Sequence, residues 1–223
     1  MADDSGSVFS GDIFRPHTLT TEDNAMLDEL PTFDEVKNAV FSLDRDSAPG
    51  VDGFSGSFFT HCWSVIGEDV WAAVKDFWAA MPKSFVSTLI VLIPKVSNPS
   101  FFADFRPISL CTFASKIITK TISLRLSQLL PKLISLNQTG FVKGRNIVDN
   151  VLLATELVHS INKKMRGGNL ILKLDMMSEK RPLIGFLGLF LPFLIKVLEH
   201  FGFGPHFIHL IRNCLSFNMF SVR

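Results

Sequence analysis

Two short apolar runs, each ended by a residue that interrupts it, constrain the fold of this chain more than any other feature. Residues 88–94 read T-L-I-V-L-I-P, and residues 169–175 read N-L-I-L-K-L-D. Runs of this length, rich in β-branched and other apolar residues, are typical of buried strands. Because apolar residues recur at helical spacing in most of the remaining chain, the pattern predicts an α+β fold that is mostly helical with few strands.

Helical spacing is clearest in two segments of the middle of the chain. Residues 113–130 predict a helix whose outward positions are Lys116, Lys120 and Arg125. Residues 146–165 predict a long helix whose inward positions are Val148, Val151, Leu152, Leu157, Val158 and Ile161. Pro99 and Pro107 lie between the first strand and these helices, and they predict a loop there.

The two ends of the chain differ from its middle. Residues 1–30 are polar and acidic, which predicts a loosely ordered lead-in, and residues 31–223 predict the folded domain. The uncharged run 183–195 is shorter than the ~20 residues that span a bilayer, which argues against a membrane protein. Two short helices are predicted over residues 192–215, around a Gly-Phe-Gly-Pro turn.

Cysteine usage and the N-terminus predict a location inside the cell. The three cysteines are far apart and form no C-x-x-C pair, which suits a reducing compartment. The first residues contain no basic stretch followed by an apolar one, so the chain is not predicted to be secreted. We therefore expect the nucleus or the cytoplasm, and the sequence does not determine the oligomeric state.

The net charge of +1 hides a strong division along the chain. Residues 1–80 hold fifteen acidic and four basic residues, whereas residues 81–223 hold six acidic and eighteen basic ones. A basic portion of this kind fits a polyanionic partner such as a nucleic acid. An unevenly charged solvated surface explains the same counts, and charge alone does not separate the two interpretations.

Several residues are candidates for chemistry by their position. Asp175 ends an apolar strand, where a carboxylate is held rigidly enough to bind a metal ion, although position alone favours the alternative that it caps the next turn. Lys95 follows a strand, and Arg106 precedes a proline that favours extended backbone. Lys143 and Arg145 flank Gly144 before a helix, as in loops that contact phosphates, and ordinary exposed charge is the alternative for each.

The 22 phenylalanines lie mostly at helical spacing and are predicted to be core rather than base-stacking residues.

Four motifs together resemble the plant LINE-type (non-LTR) retrotransposon reverse transcriptases. They are S-A-P-G-V-D-G-F at 47–54, L-I-P-K at 92–95 with D-F-R-P-I-S-L-C at 104–111, Q-T-G-F-V-K-G-R-N-I at 138–147, and L-K-L-D-M at 172–176. Their order and spacing are those of the family. The resemblance implies the fingers and early palm of a right-hand polymerase, acting on an RNA template and a DNA primer.

The resemblance also implies roles for the candidate residues. Asp175 matches the catalytic aspartate that binds both Mg²⁺ ions, and Arg106 and Lys95 match residues that contact the triphosphate of the incoming nucleotide. Lys143, Gly144 and Arg145 belong to a block near the template path. Nucleotide addition of this kind is in-line phosphoryl transfer, in which positioning and metal charge supply most of the catalysis.

The sequence departs from the family pattern after Asp175. Lys180 stands where the family has an aromatic residue, and residues 177–193 do not follow the pattern until it returns near residue 196. Our hypothesis for this gap is a local change of reading frame or a mis-spliced exon. No Asp-Asp pair follows Asp175, although the family carries its second metal-binding block there. The sequence thus predicts a reverse transcriptase fragment without polymerase activity, and the alternative is a non-enzymatic nucleic-acid-binding remnant.

Overall fold

The described residues form helices and a small sheet, as the α+β pattern predicts. The structure, a computed structural model, describes residues 18–80, 87–161, 170, 183–216 and 219–222. The helices are α1 (Thr21–Asp28), α2 (Phe33–Ser42), α3 (Gly56–His61), α4 (Trp63–Ala80), α5 (Phe113–Leu133), α6 (Ile147–Ser160), α7 (Leu183–His200) and α8 (Pro205–Ser216). The strands are β1 (Ser87–Pro94), β2 (Phe105–Cys111) and β3 (Met219–Val222).

The sheet has the strand order β2-β1-β3, so the predicted strand at residues 88–94 lies in its centre. Strands β1 and β2 are antiparallel, and β1 and β3 are parallel. The prediction of a loop around Pro107 is wrong, because this residue lies within β2 and pairs with Leu92. Since β2 is at the edge of the sheet, it accommodates a proline that donates no hydrogen bond. The second predicted strand, at residues 169–175, lies outside the described residues.

The core is formed by the apolar faces of several helices. Helix α4 contributes Val74, Phe77 and Trp78, and α5 contributes Ile117, Ile118, Ile122 and Leu129. Most of the buried apolar residues form one cluster, which also receives side chains from α1, α2, α7 and α8. The fully buried members with the largest side chains are Trp78, Phe77, Phe113, Phe207, Leu27, Ile117, Ile118 and Leu210.

Arg125 is buried, which corrects its predicted outward orientation. Its guanidinium donates to both carboxylate oxygens of Glu35 at 2.9 Å, and the side chain is only 5% exposed. It also donates to the backbone oxygens of Met26, Leu27 and Glu29 around the end of α1. Spacing along α5 does not reveal this position, because its partners lie 90 or more residues away in sequence.

The lead-in prediction is corrected for residues 18–30, which belong to the folded body. Helix α1 begins with a capping box between Thr20 and Asp23, and it buries Leu27 completely. Asn24 then bonds the α7–α8 turn through both atoms of its amide, accepting from the amide of Gly204 and donating to the oxygen of Gly202. The sequence pattern does not reveal this helix, because its apolar residues are confined to one short turn and show no helical periodicity.

Helix α6 is exposed on the face that the sequence predicts to be buried. Residues 151–159 are all exposed, including the predicted inward positions Val151, Leu152, Leu157 and Val158. Apolar residues lie on most sides of this helix, a pattern typical of a helix that is covered by other protein. Within the described part of the chain, no element covers it.

The apolar run predicted as a short, aberrant segment is part of a helix. Helix α7 spans Leu183–His200 and contains Pro192, so the helical part of this region begins earlier than the predicted residue 192. In the described part of the chain, no helix combines the length and the apolar character needed to cross a membrane.

Candidate nucleic-acid interface

The β1–β2 hairpin brings Lys95 and Arg106 to one end of the sheet. Arg106 pairs with Ile93 across the two strands, and Lys95 is two residues beyond Ile93. The amide of Lys95 donates to the oxygen of Asp104 at 2.7 Å, which closes the turn. Both basic side chains are exposed, so the hairpin presents two cations that the sequence separates by ten residues.

The turn of this hairpin is held by one carboxylate. Oδ2 of Asp104 accepts the amides of Ser100 and Phe101, each at 2.9 Å. The turn leaves Phe101 73% and Phe102 88% exposed, although phenylalanines are predicted to be core residues. The sequence signal for this exposure is their place between Pro99 and Asp104, in a turn rather than in a periodic helix.

The S-A-P-G-V-D-G-F motif is joined to the end of β2. A Cβ atom on Gly50 would lie 2.6 Å from the backbone of Cys111 and Thr112, so only glycine allows this approach. Nζ of Lys116 on α5 donates to Ser47 Oγ and to the oxygen of Ala48. Two of the predicted motifs therefore meet where β2 leads into α5.

The Q-T-G-F-V-K-G-R-N-I motif forms a loop between α5 and α6. The guanidinium of Arg145 donates to the backbone oxygens of Ser135, Gln138 and Ile134, the last two at 2.7 and 2.9 Å, and more distantly to Pro131. These oxygens belong to the last turn of α5 and the residues that follow it. The contacts of Arg145 in the structure are thus intramolecular, and binding of nucleic acid by this residue stays a prediction.

The side chains of this loop fall into a buried set and an exposed set. Thr139 and Val142 are buried, whereas Phe141 and Lys143 are exposed. Gly144 has a φ of 82° and open space around its Cα, so backbone conformation rather than crowding favours glycine there. The loop therefore presents Lys143 and Gly144 outward beside a fully exposed aromatic ring.

The predicted metal ligand lies outside the part of the chain that can be described. This residue is Asp175, and its surroundings are not part of the described structure. Among the described residues, no three histidine, cysteine, aspartate or glutamate side chains are grouped closely enough to hold a metal ion. The described residues therefore contribute positively charged and aromatic groups to the candidate site.

The comparisons with known proteins agree with the four motifs. Residues 93–223 match the family model for "Reverse transcriptase (RNA-dependent DNA polymerase)". Over 183 residues the chain is 31% identical to the "Transposon TX1 uncharacterized 149 kDa protein" of Xenopus laevis. That alignment covers 81% of this chain and 14% of the relative, so the chain spans about a seventh of the length of the relative.

These similarities settle the family but do not restrict it to plants, since the relative is a frog protein. The matched region contains β1–β2 from Ile93 onward, α5 and the loop of Arg145. The chain belongs to the reverse transcriptase family, and its transposon relative supports the non-LTR branch that the motifs predict.

Proposed function

We propose that this chain supplies the fingers and the start of the palm in the reverse transcriptase domain of a non-LTR retrotransposon. The observation that carries the proposal is the joint exposure of Lys95 and Arg106 at one end of the β1–β2 hairpin. The resemblance assigns both residues to the triphosphate of the incoming nucleotide. Their common position in the hairpin supports that assignment, because one triphosphate can contact both cations only if they lie together.

The chemistry of the two side chains fits this role. A guanidinium gives two parallel hydrogen bonds to phosphate oxygens, and an ammonium acts as a compact point charge beside it. In phosphoryl transfer, these groups hold the triphosphate in line with the attacking hydroxyl and balance the developing charge. Among the described residues, no side-chain hydrogen bond or ion pair occupies Arg106.

We further propose that Asp175 is a ligand for Mg²⁺, as the motif resemblance implies. A carboxylate is a suitable oxygen ligand for this ion, and bound Mg²⁺ would neutralise charge on the triphosphate. One carboxylate does not complete a two-metal site, and the sequence has no Asp-Asp pair after Asp175. We therefore expect the 223-residue chain by itself to bind nucleic acid without extending a primer.

The proposed partners are an RNA template and a DNA primer, in the nucleus or the cytoplasm. The named relative is a transposon protein, which supports a mobile element as the source of this chain. That this element is of the plant LINE type, as the four motifs suggest, stays a prediction. The basic portion of the chain provides the electrostatic attraction that a nucleic-acid partner requires.

The proposal is tested by removing the two hairpin cations together. In a buffer with Mg²⁺, we expect Lys95→Ala/Arg106→Ala to weaken binding of a fluorescent deoxynucleoside triphosphate by roughly tenfold for each lost contact. The matched control is Lys37→Ala/Arg212→Ala, which removes one lysine and one arginine that are exposed on α2 and α8. Equal loss in both double variants would show that only net charge matters, and the proposal would fail.

The second candidate, a non-enzymatic nucleic-acid-binding remnant, is favoured by the excess of basic residues after residue 80. Binding of the fluorescent deoxynucleoside triphosphate separates the two, because only the first candidate predicts a triphosphate contact at Lys95 and Arg106. Primer extension on an RNA template that depends on Mg²⁺ would contradict the expected inactivity of this chain. RNA affinity that does not change with salt would contradict both candidates, because phosphate contacts release counterions.

A further inference from the structure

Phe141 combines an unfavourable backbone conformation with complete exposure. Its φ is 63°, and its side chain has no cover from the described residues. A left-handed conformation is costly for a large side chain, since its Cβ approaches the following carbonyl oxygen. A bulky apolar residue that is both strained and exposed gains nothing for the fold of the described chain, so the position calls for a functional explanation.

The surrounding loop fixes this arrangement. The guanidinium of Arg145 ties the loop to the end of α5, and Val142, the neighbour of Phe141, is buried. Nδ2 of Asn150 donates to the oxygen of Asn137 at 2.9 Å and to Thr139 Oγ1 at 3.1 Å. With both sides of Phe141 held by these contacts, the ring stays outside the loop.

The charge around the ring favours a nucleic acid as its partner. Residues 134–148 contain Lys143 and Arg145 but no aspartate or glutamate. Lys143 is exposed two residues after Phe141, so an aromatic face and a cation lie close together on the same loop. An unpaired nucleobase with its phosphate has the complementary chemistry, because every base presents a π-face for stacking beside a negative charge.

We propose that Phe141 stacks on an unpaired nucleobase of the bound RNA strand while Lys143 contacts a neighbouring phosphate. Arg145 is then a positioning residue, which holds the loop in the shape that presents the ring. This inference rests on the proposed function and names the aromatic contact that phosphate binding alone does not supply.

The test is fluorescence anisotropy with a labelled oligouridylate and with an abasic strand that carries the same number of phosphates. We expect Phe141→Gly to weaken RNA binding about five- to a hundredfold, the range for one stacked base. Because glycine adopts positive φ without strain, the thermal midpoint of this variant should be unchanged or higher. On the abasic strand, wild type and variant should bind equally.

Further variants test whether RNA binding needs an aromatic ring or only an exposed apolar side chain. Phe141→Trp keeps an aromatic face and should retain RNA binding, whereas Phe141→Asn tolerates the backbone conformation and should lose it. Leu136 is 83% exposed in the same loop, so Leu136→Ala is the matched control and should leave RNA affinity unchanged.

The outcomes distinguish this inference from the proposed function. If wild type binds no RNA, both are overturned. If wild type binds RNA and Phe141→Gly binds equally well, only the stacking contact is overturned. Equal losses in Leu136→Ala and Phe141→Gly would also overturn it, because an aliphatic residue would then serve as well as the ring.

Discussion

Arg125 and Arg145 use the same chemistry at the ends of two helices, but their surroundings differ. Each donates to three or more backbone oxygens near a helix C-terminus, α1 for Arg125 and α5 for Arg145. These oxygens lack partners within the helix, and a cation is favourable beside them. Arg125 is buried and paired with Glu35, whereas Arg145 is half-buried and has no carboxylate partner among the described residues.

The difference concerns what each arginine connects. Arg125 joins the segments before and within α2 to α5, across more than 90 residues of sequence. Arg145 bonds oxygens at most 14 residues away and shapes one surface loop. We infer that the first arginine supports the stability of the whole fold, whereas the second supports the presentation of a binding loop.

The strongest test of this distinction is Arg125→Met. The variant leaves three backbone oxygens and the Glu35 carboxylate, which is 37% exposed, without their donor. Because water can reach the carboxylate, the unpaired acceptors should cost about 2–3 kcal/mol of unfolding free energy. Urea unfolding measures this loss, and Lys120→Met on the same helix is the control. A loss below about 1 kcal/mol would contradict the structural role of Arg125.

A smaller loss of stability with a larger loss of binding is expected for Arg145→Met. Water can reach the released oxygens at the surface, so the cost should be about 1 kcal/mol, whereas RNA affinity should fall because the loop loses its shape. Arg145→Lys keeps the charge but offers no planar fork for several oxygens at once, so it should bind RNA as weakly as Arg145→Met. Wild-type affinity in Arg145→Lys would show that charge alone matters.

The smallest expected effect is on the pH dependence of the unfolding free energy, to which Glu35 contributes. Hydrogen bonds from Arg125 lower the pKa of Glu35, and the amide of Thr32 adds to this effect. The pair therefore stabilises the fold above the ordinary carboxyl pKa of about 4.3, and this stabilisation is lost as the pH falls through the lowered value.

Glu35→Gln checks this sign by unfolding measurements across pH. The variant should be less stable than wild type at neutral pH, and the difference should shrink in acid as Glu35 itself becomes protonated. Asp34→Asn removes an exposed carboxylate from the same first turn and is the control. A difference between Glu35→Gln and wild type that is constant down to pH values well below 4 would contradict the ion pair with Arg125.

Local sequence patterns predicted the elements whose stabilising contacts are themselves local. The apolar spacing of residues 113–130 identifies the helix α5 and most of its buried face. The strand at residues 88–94 is confirmed for the same reason, since a short β-branched run followed by a proline has few alternatives. Periodicity failed for α6, because it shows only which side is apolar and not whether anything covers that side.

The sequence by itself determined the α+β character, the order of the family motifs and the identity of the basic candidates. Only the tertiary structure decided that Lys95 and Arg106 share one end of a hairpin, that Arg125 is buried and that Phe141 is exposed. The physical reason is that helix and strand propensities act over a few residues. The partners of a guanidinium or an aromatic ring are instead set by chain segments that meet only after folding.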